Sequence, residues 1–331
     1  MNYVLSRRHL VKAIGAAALL YPMCGVSQQA ARTARVAWTS VDRADPQSAF
    51  LVAFRGAMRD LGWIEGRNLD LDTWWGGGSL DGLKKLVPEI IARRPDVIVS
   101  AGGPATRAMI DSKVELPVVF TSSADAVIAK IVESWAKPGA NRTGISFFSL
   151  ELIPKRLELM TQVLPGLKRV AIVGWPPHAG ELLELEAARN TAKSLGLEHR
   201  YWGVNTAAEL DAALEALAQW NADAMLVFAG AISVAYADRI SAFAVQKRIP
   251  AISSWADFAE KGNVMTYGPI LRECYARLAS FVDRILKGAR PANLPAERPT
   301  KFELVINETA ANALGLKIPP SILVRADRVI R

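Results

Sequence analysis

The stretch SAGGPATRAM, Ser100 to Met109, sets a glycine turn directly behind the apolar run Val97-Ile98-Val99. Strand, glycine turn and helix in that order is the construction of phosphate loops, because the first amides of a helix attract a small anion. A nucleotide loop needs Gly-x-x-x-x-Gly-Lys-Ser/Thr, and no Lys stands here; Gly-x-Gly-x-x-Gly is absent too. The turn is therefore read as a seat for a small carboxylate. Gly103 allows close approach, and Ala105 and Thr106 lie in the opening turn, Thr106 adding a hydroxyl.

The same logic applies at the ends of the other apolar runs. They finish in Thr39-Ser40, Trp74-Trp75 and Ser122-Ser123 in the first half of the chain, and in Trp175, Gly230 and Ser254-Trp255 in the second. Hydroxyls and aromatic faces of this kind suit binding. Of Trp74 and Trp75, one is expected to pack inward, since strand neighbours face opposite ways. Asp125 and Asp257 each follow a Ser-rich turn; either can meet a ligand ammonium, and each also fits a helix N-cap.

No catalytic set accompanies these loops. No Ser stands in a nucleophile-elbow frame, and of the histidines only His178 lies near one of the strand ends. No His, Cys and carboxylate cluster has metal-ligand spacing, so no metal site and no cofactor are expected.

The elements that must hold these loops alternate. Strands are expected at Arg35–Thr39, Leu69–Trp75, Val97–Ser100 and Pro117–Thr121. Helices are expected at Pro46–Leu61, Leu80–Arg93, Ala105–Ser112 and Asp125–Trp135. Such a series implies a parallel sheet with helices on both faces. It then starts again. DLGW at Asp60 is echoed by SLGL at Ser194, RPDVIVSAG at Arg94 by NADAMLVFAG at Asn221, and LPVVFTSSAD at Leu116 by IPAISSWAD at Ile249. The fold class expected is α/β, with two similar doubly wound lobes joined by a multi-strand hinge. Ligands in open α/β sheets bind beyond the carboxyl ends of the strands, where all the loops above fall.

The hinge is sought at Pro138–Gly144 with Ile145-Ser146-Phe147-Phe148, again at Val264–Pro269, and in a third strand at Phe302–Ile306. Lobe 1 is placed at residues 34–143, completed by about 268–299, and lobe 2 at 144–267, completed by about 300–331. A helix is expected at Leu271–Leu286 and a short one at Glu308–Leu314.

Residues 1–27 read as a cleaved export signal. They carry Arg7, Arg8 and Lys12, no acidic residue, and an apolar run, Ala13–Leu20, too short to span a bilayer. SRRHLVK, Ser6 to Lys12, resembles the twin-arginine motif. Met23 stands before Cys24 where a lipid anchor wants a small residue, so a free periplasmic protein is expected. The net charge of +8 falls to +5 without this segment. Its Lys and Arg residues are scattered, which argues against nucleic-acid binding. Only Cys24 and Cys274 are present, so the mature chain can form no internal disulfide.

FRGAMRDLGWIEGRNLDLD, PDVIVSAGGPATRA, PGANRTGISFFSLELIPKRLELM, MTYGP and the terminal block from RILKGARP to RADRVI follow one another in order. Together they resemble the bacterial ABC-transporter substrate-binding proteins related to the tryptophan-binding protein TrpX, over essentially the whole mature chain. The resemblance implies a type I periplasmic binding protein with three interlobe crossings, serving an inner-membrane permease and ATPase. Asp125 matches the family's Asp-Pro-Val with Ala126 in place of proline, and Tyr267-Gly268-Pro269 matches its Tyr-Gly-Pro. The function expected is closure, without turnover, on a carboxylate solute such as an aromatic amino acid. Helix amides would take the carboxylate, Asp125 or Asp257 the ammonium, and Trp75, Trp175, Trp255 or Tyr267 the apolar body. A monomer is expected. A sensory module for a membrane receptor and an exported α/β enzyme are the alternatives.

Overall fold

The computed structural model of the chain describes residues 33–147, 149–230, 233 and 235–331; the export signal expected at 1–27 lies outside them. Strands β1 (Ala34–Ser40), β2 (Leu69–Trp75), β3 (Val97–Ala101), β4 (Val118–Ser122) and β5 (Arg142–Ser146) form a parallel sheet ordered β2-β1-β3-β4-β5. β3 and β4 are buried at every position, as strands covered on both faces must be. Helix α1 (Ala49–Asp60) turns Leu51, Phe54 and Met58 to one face. Helix α2 (Leu80–Ala92) brings Leu83, Val87 and Ile90 to the other, beside α3 (Gly103–Asp111). Those spacings of three and four residues are what place one stripe of a helix against a sheet.

The second sheet repeats the plan. Strands β6 (Arg169–Gly174), β7 (Glu198–Gly203), β8 (Ala224–Val227), β9 (Ala251–Ser253) and β10 (Met265–Pro269) lie in the order β7-β6-β8-β9-β10. Each sheet therefore runs second, first, third, fourth, fifth. β11 (Phe302–Asn307) adds to β10 in antiparallel fashion, and β12 (Arg328–Ile330) pairs parallel with β11. Helices α4 (Ile153–Val163) and α5 (Glu181–Ser194) share one core with this sheet, and α6 (Ala207–Gln219) and α7 (Ala237–Lys247) the other. The short helix α8 (Ala256–Glu260) follows β9.

Helix α9 (Leu271–Leu286) follows β10 of the second sheet but packs on the first. Its Leu278, Phe281 and Val282 enter the core of Trp38, Phe54 and Val99. Tyr275 stacks on Phe50 of α1 with centroids 4.5 Å apart. Such ring pairs add about 0.5–1.5 kcal/mol beyond burial. The chain thus passes between sheets three times: after β5, between β10 and α9, and ahead of β11, where Glu297 still bridges Ile145. β5 stays in the first sheet to Ser146 and β10 in the second to Pro269.

Two glycines serve these passages. Gly144 of β5 has φ +154, and a Cβ there would run into the carbonyl of Phe120; a Cβ on Gly268 of β10 would run into that of Ser254.

The helix expected at Asp125–Trp135 does not form. Asp125 Oδ1 accepts the amides of Val127 and Ile128 at 2.9 Å, which begins a turn. Lys130 then takes φ +54, and the amides of Ile131 and Val132 fold back to the Ala126 carbonyl. A left-handed residue ends helical propagation, and the apolar Ile131 and Val132 are buried beside Phe120.

Candidate functional site

The carboxyl ends of both sheets face one cavity of about 560 Å³. The first sheet supplies Trp38, Ser40, Trp75 and the turn Gly102-Gly103-Pro104 that opens α3. The second supplies Trp175, His178, Gly230, Trp255 and Asp257, and α9 adds Tyr275. The cavity is of the size of ordinary small-molecule sites, and it sits where open α/β sheets bind their ligands.

Gly102 is the residue the turn cannot replace: its φ of +93 is left-handed, and its amide donates to Thr121 Oγ1 at 2.6 Å. A Cβ at Gly103 would make only an ordinary contact, 3.5 Å from Ser122 Oγ. Ser40 Oγ donates to Asp42 Oδ2 at 2.6 Å, and the amides of Gly76, Gly77 and Gly78 donate to the carbonyls of Ser40, Asp42 and Val41. These bonds hold the loop with Asp42 and Arg43 against the cavity. In the second lobe, Gly230 leaves room for Trp175, whose Cβ lies 3.1 Å from where a Cβ of residue 230 would stand. The indole N–H groups of Trp38 and Trp255 are buried and have no hydrogen-bond partner.

Of the residues expected at the site, Ser40, Trp75, Gly103, Ser123, Trp175, Gly230, Trp255 and Asp257 line the cavity. Thr39, Ala105, Thr106, Ser122, Asp125, Ser254 and Tyr267 are not part of its wall. Thr39 Oγ1 donates to the Val99 carbonyl, and Thr106 Oγ1 bonds Ser100 and the carbonyls of Gly102 and Thr121, so both hydroxyls are spent inside the lobe. Ala105 is in the core with Leu83 and Met109. Ser122 and Ser254 are buried to 2% and 1% exposure. Asp125 caps its own turn and accepts from Arg298 Nη2 at 3.1 Å. Tyr267 packs on the core of the second sheet, and its carbonyl accepts from Arg156 Nε at 2.8 Å. Trp74 and Trp75 do divide: Trp74 packs with Leu83 and Trp75 on the face of Trp38.

Other wall residues were not singled out from sequence: Trp38, Asp42, Arg43, Phe147, Tyr236, Lys261 and Tyr275. Asp42 and Arg43, two and three residues past the end of the first strand, carry a readable signal as charges on a strand-end loop. The aromatics carried none that separates them from core.

The site is electrically mixed. Asp257 is open to the cleft, yet the surrounding protein, and then the neighbouring Glu260, raise its carboxyl above the usual range. Lys261 and Arg43 bring positive charge to the wall. His178 is buried and held neutral, its pKa pushed down to about 4 by loss of solvent, and its Nε2 lies 2.8 Å from Ser123 Oγ of the other lobe. Behind it stand Glu181 and Glu184, with burial pushing Glu184 up to about 8 and Glu181 also upward. The three form a group whose atoms are close enough to hold an ion, which was not expected from the sequence.

Two α/β lobes that wall an aromatic-lined cleft, linked by three passages among the described residues, have the fold of the type I periplasmic binding proteins. The chain belongs to the family of ABC transporter substrate binding proteins, whose pattern it matches over residues 45–330. That family is one of solute-binding proteins rather than of enzymes. It is similar to a tyrosine-binding protein of Clostridioides difficile (strain R20291), 22% identical over 264 residues, which cover 80% of this chain and 76% of the relative. A conserved domain protein from Vibrio cholerae O1 biovar eltor superposes with a TM-score of 0.84 at 26% identity, over 90% of this chain and 100% of the other. The ABC domain from Streptococcus pneumonia in complex with L-Trp superposes at 0.83 with 20% identity, over 90% and 100%.

Proposed function

We propose that the protein is the periplasmic receptor of an ABC importer and that it closes on an amino acid with an aromatic side chain. One observation carries the reading: Trp75, Trp175 and Trp255 share a cavity with Asp257 and with the amide end of α3. A helix N-terminus attracts a carboxylate, a carboxylate attracts an ammonium, and the indoles accept a flat apolar body. The tyrosine-binding relative and the L-Trp complex support the same solute class. Delivery to a membrane permease and its ATPase, export through residues 1–27 by the twin-arginine route, cleavage without a lipid anchor, and a monomeric state belong to this reading. So do lobe boundaries at 34–143 with 268–299 and at 144–267 with 300–331.

A thermal-shift screen across the proteinogenic amino acids and aromatic acids tests it. Aromatic amino acids at 100 times their dissociation constant should stabilise the protein by about 2.7 kcal/mol. If no amino acid shifts the midpoint, the solute assignment falls.

A further inference from the structure

Behind the second-lobe wall of the cleft, three side chains converge on a common gap. One ligand atom from each of His178, Glu181 and Glu184 lies within 4.8 Å of the others, and His178 Nδ1 is 3.7 Å from Glu184 Oε1. Glu184 is 1% exposed and Glu181 2%. The atoms without a hydrogen-bond partner are His178 Nδ1, Glu181 Oε2 and both carboxylate oxygens of Glu184. The remaining atoms of the set are anchored. Tyr201 Oη donates to Glu181 Oε1 at 2.8 Å, and Ser123 Oγ holds His178 Nε2 at 2.8 Å. For His178 and Glu181, free atoms on one side and a fixed partner on the other is the arrangement of metal ligands with their supporting shell, while Glu184 presents two free oxygens.

We propose that His178, Glu181 and Glu184 form a binding site for a divalent transition-metal ion of the zinc type. An unpartnered buried polar atom costs about 1–3 kcal/mol, and more when charged, so such a group in one gap calls for an occupant. One imidazole and two carboxylates suit zinc, whereas calcium takes six to eight oxygens. Ligands at about 2.0–2.2 Å in a tetrahedron stand roughly 3.4 Å apart, close to the spacing His178 and Glu184 already have. With the ion on Nδ1, the ring proton is fixed on Nε2 and donates to Ser123, so occupancy of the site sets the polarity of a contact between the lobes.

The test is a zinc titration of chelator-treated protein by calorimetry, with metal content measured after dialysis and no solute added. The wild type and an H199Q control, altered outside the cluster, should each retain one zinc ion per chain. E184Q should bind at least about tenfold more weakly. Crystals soaked in zinc chloride should show an anomalous peak between the three side chains. Equal binding by E184Q, or anomalous density found only elsewhere, overturns the assignment. Should E184Q fail to fold, E181Q, which keeps an acceptor for Tyr201, carries the comparison.

Discussion

Ser123 Oγ, at the end of the first sheet's fourth strand, lies 2.8 Å from His178 Nε2, three residues past Trp175 of the second lobe, and both side chains are buried. The bond joins the two walls of the cleft directly. On the proposed reading, in which the lobes close on a solute, this bond should favour the closed arrangement. S123A leaves the imidazole without its partner and should cost about 1 kcal/mol, a roughly fivefold loss of solute affinity in calorimetry. An unchanged affinity would show that closure does not depend on this pair.

Asp257, proposed above as the partner of the solute's ammonium, should couple binding to pH. Its carboxyl is raised by burial and by Glu260, and partly compensated by Arg272, Lys261 and Arg328. An acid with a raised folded-state pKa contributes stability that is complete below its unfolded value and is lost as pH rises through the folded one. At neutral pH the empty protein thus carries a charge it would do better without, and D257N should leave its melting temperature equal or higher. An ammonium ligand needs that charge. Affinity should fall as pH drops through the raised pKa, and D257N should bind about tenfold more weakly with a flat pH profile. Binding by D257N that still follows pH assigns the titration to another group.

Cys274 should be inert while the protein is folded. It is 5% exposed, and burial pushes its thiol up to about 12, so almost no thiolate exists at neutral pH. Alkylation should follow unfolding in denaturant, with no fast phase in water.

The helices with strong three-four spacing were legible in the sequence, and so was the repeat, because a sheet covered on both faces demands apolar runs and the turns demand glycine. Leu271–Leu286 forms over the expected residues. The wall of the cleft was only half legible. Thr39, Ser122 and Thr106 stand at the correct ends of their strands and helix, but the direction of each side chain is decided by the sheet, and all three point into protein. Trp38 and Tyr275 look like core residues in the sequence because they are core residues on one side and wall on the other. Glu181 and Glu184 open a helix, where acids are ordinarily solvated. Only the approach of Tyr201, Arg156 and His178 shows that they are buried.

Gly144 and Gly268 occupy matching places in the two sheets, each in the fifth strand just before the chain leaves for the other lobe. A methyl group on either meets a neighbouring carbonyl on the backbone, which cannot swing aside. G144A and G268A should each lose about 3 kcal/mol or more, and the melting temperature should drop by roughly 6–12 °C. Gly196, whose Cβ would meet nothing, has φ +70, so G196A isolates the cost of the left-handed backbone alone and should lose about 1 kcal/mol. Equal losses in all three would remove the crowding argument.

Arg156 ties two of the three passages to helix α4. Its Nε donates to the Tyr267 carbonyl in β10 at 2.8 Å and its Nη1 to the Ser149 carbonyl, just past β5, at 3.3 Å. It is 1% exposed, and burial pushes its pKa down to about 10, still far above neutral. The charge persists, and Glu184 is the acid that acts on it most strongly. Truncation by R156M leaves the Tyr267 and Ser149 carbonyls without their donor in buried surroundings, so a loss of about 2–4 kcal/mol is expected in chemical denaturation. R156K keeps the charge but cannot fork to two carbonyls. It should recover less than half of the loss, whereas full recovery would mean that the charge alone, and not the double anchoring of the passages, is what Arg156 contributes.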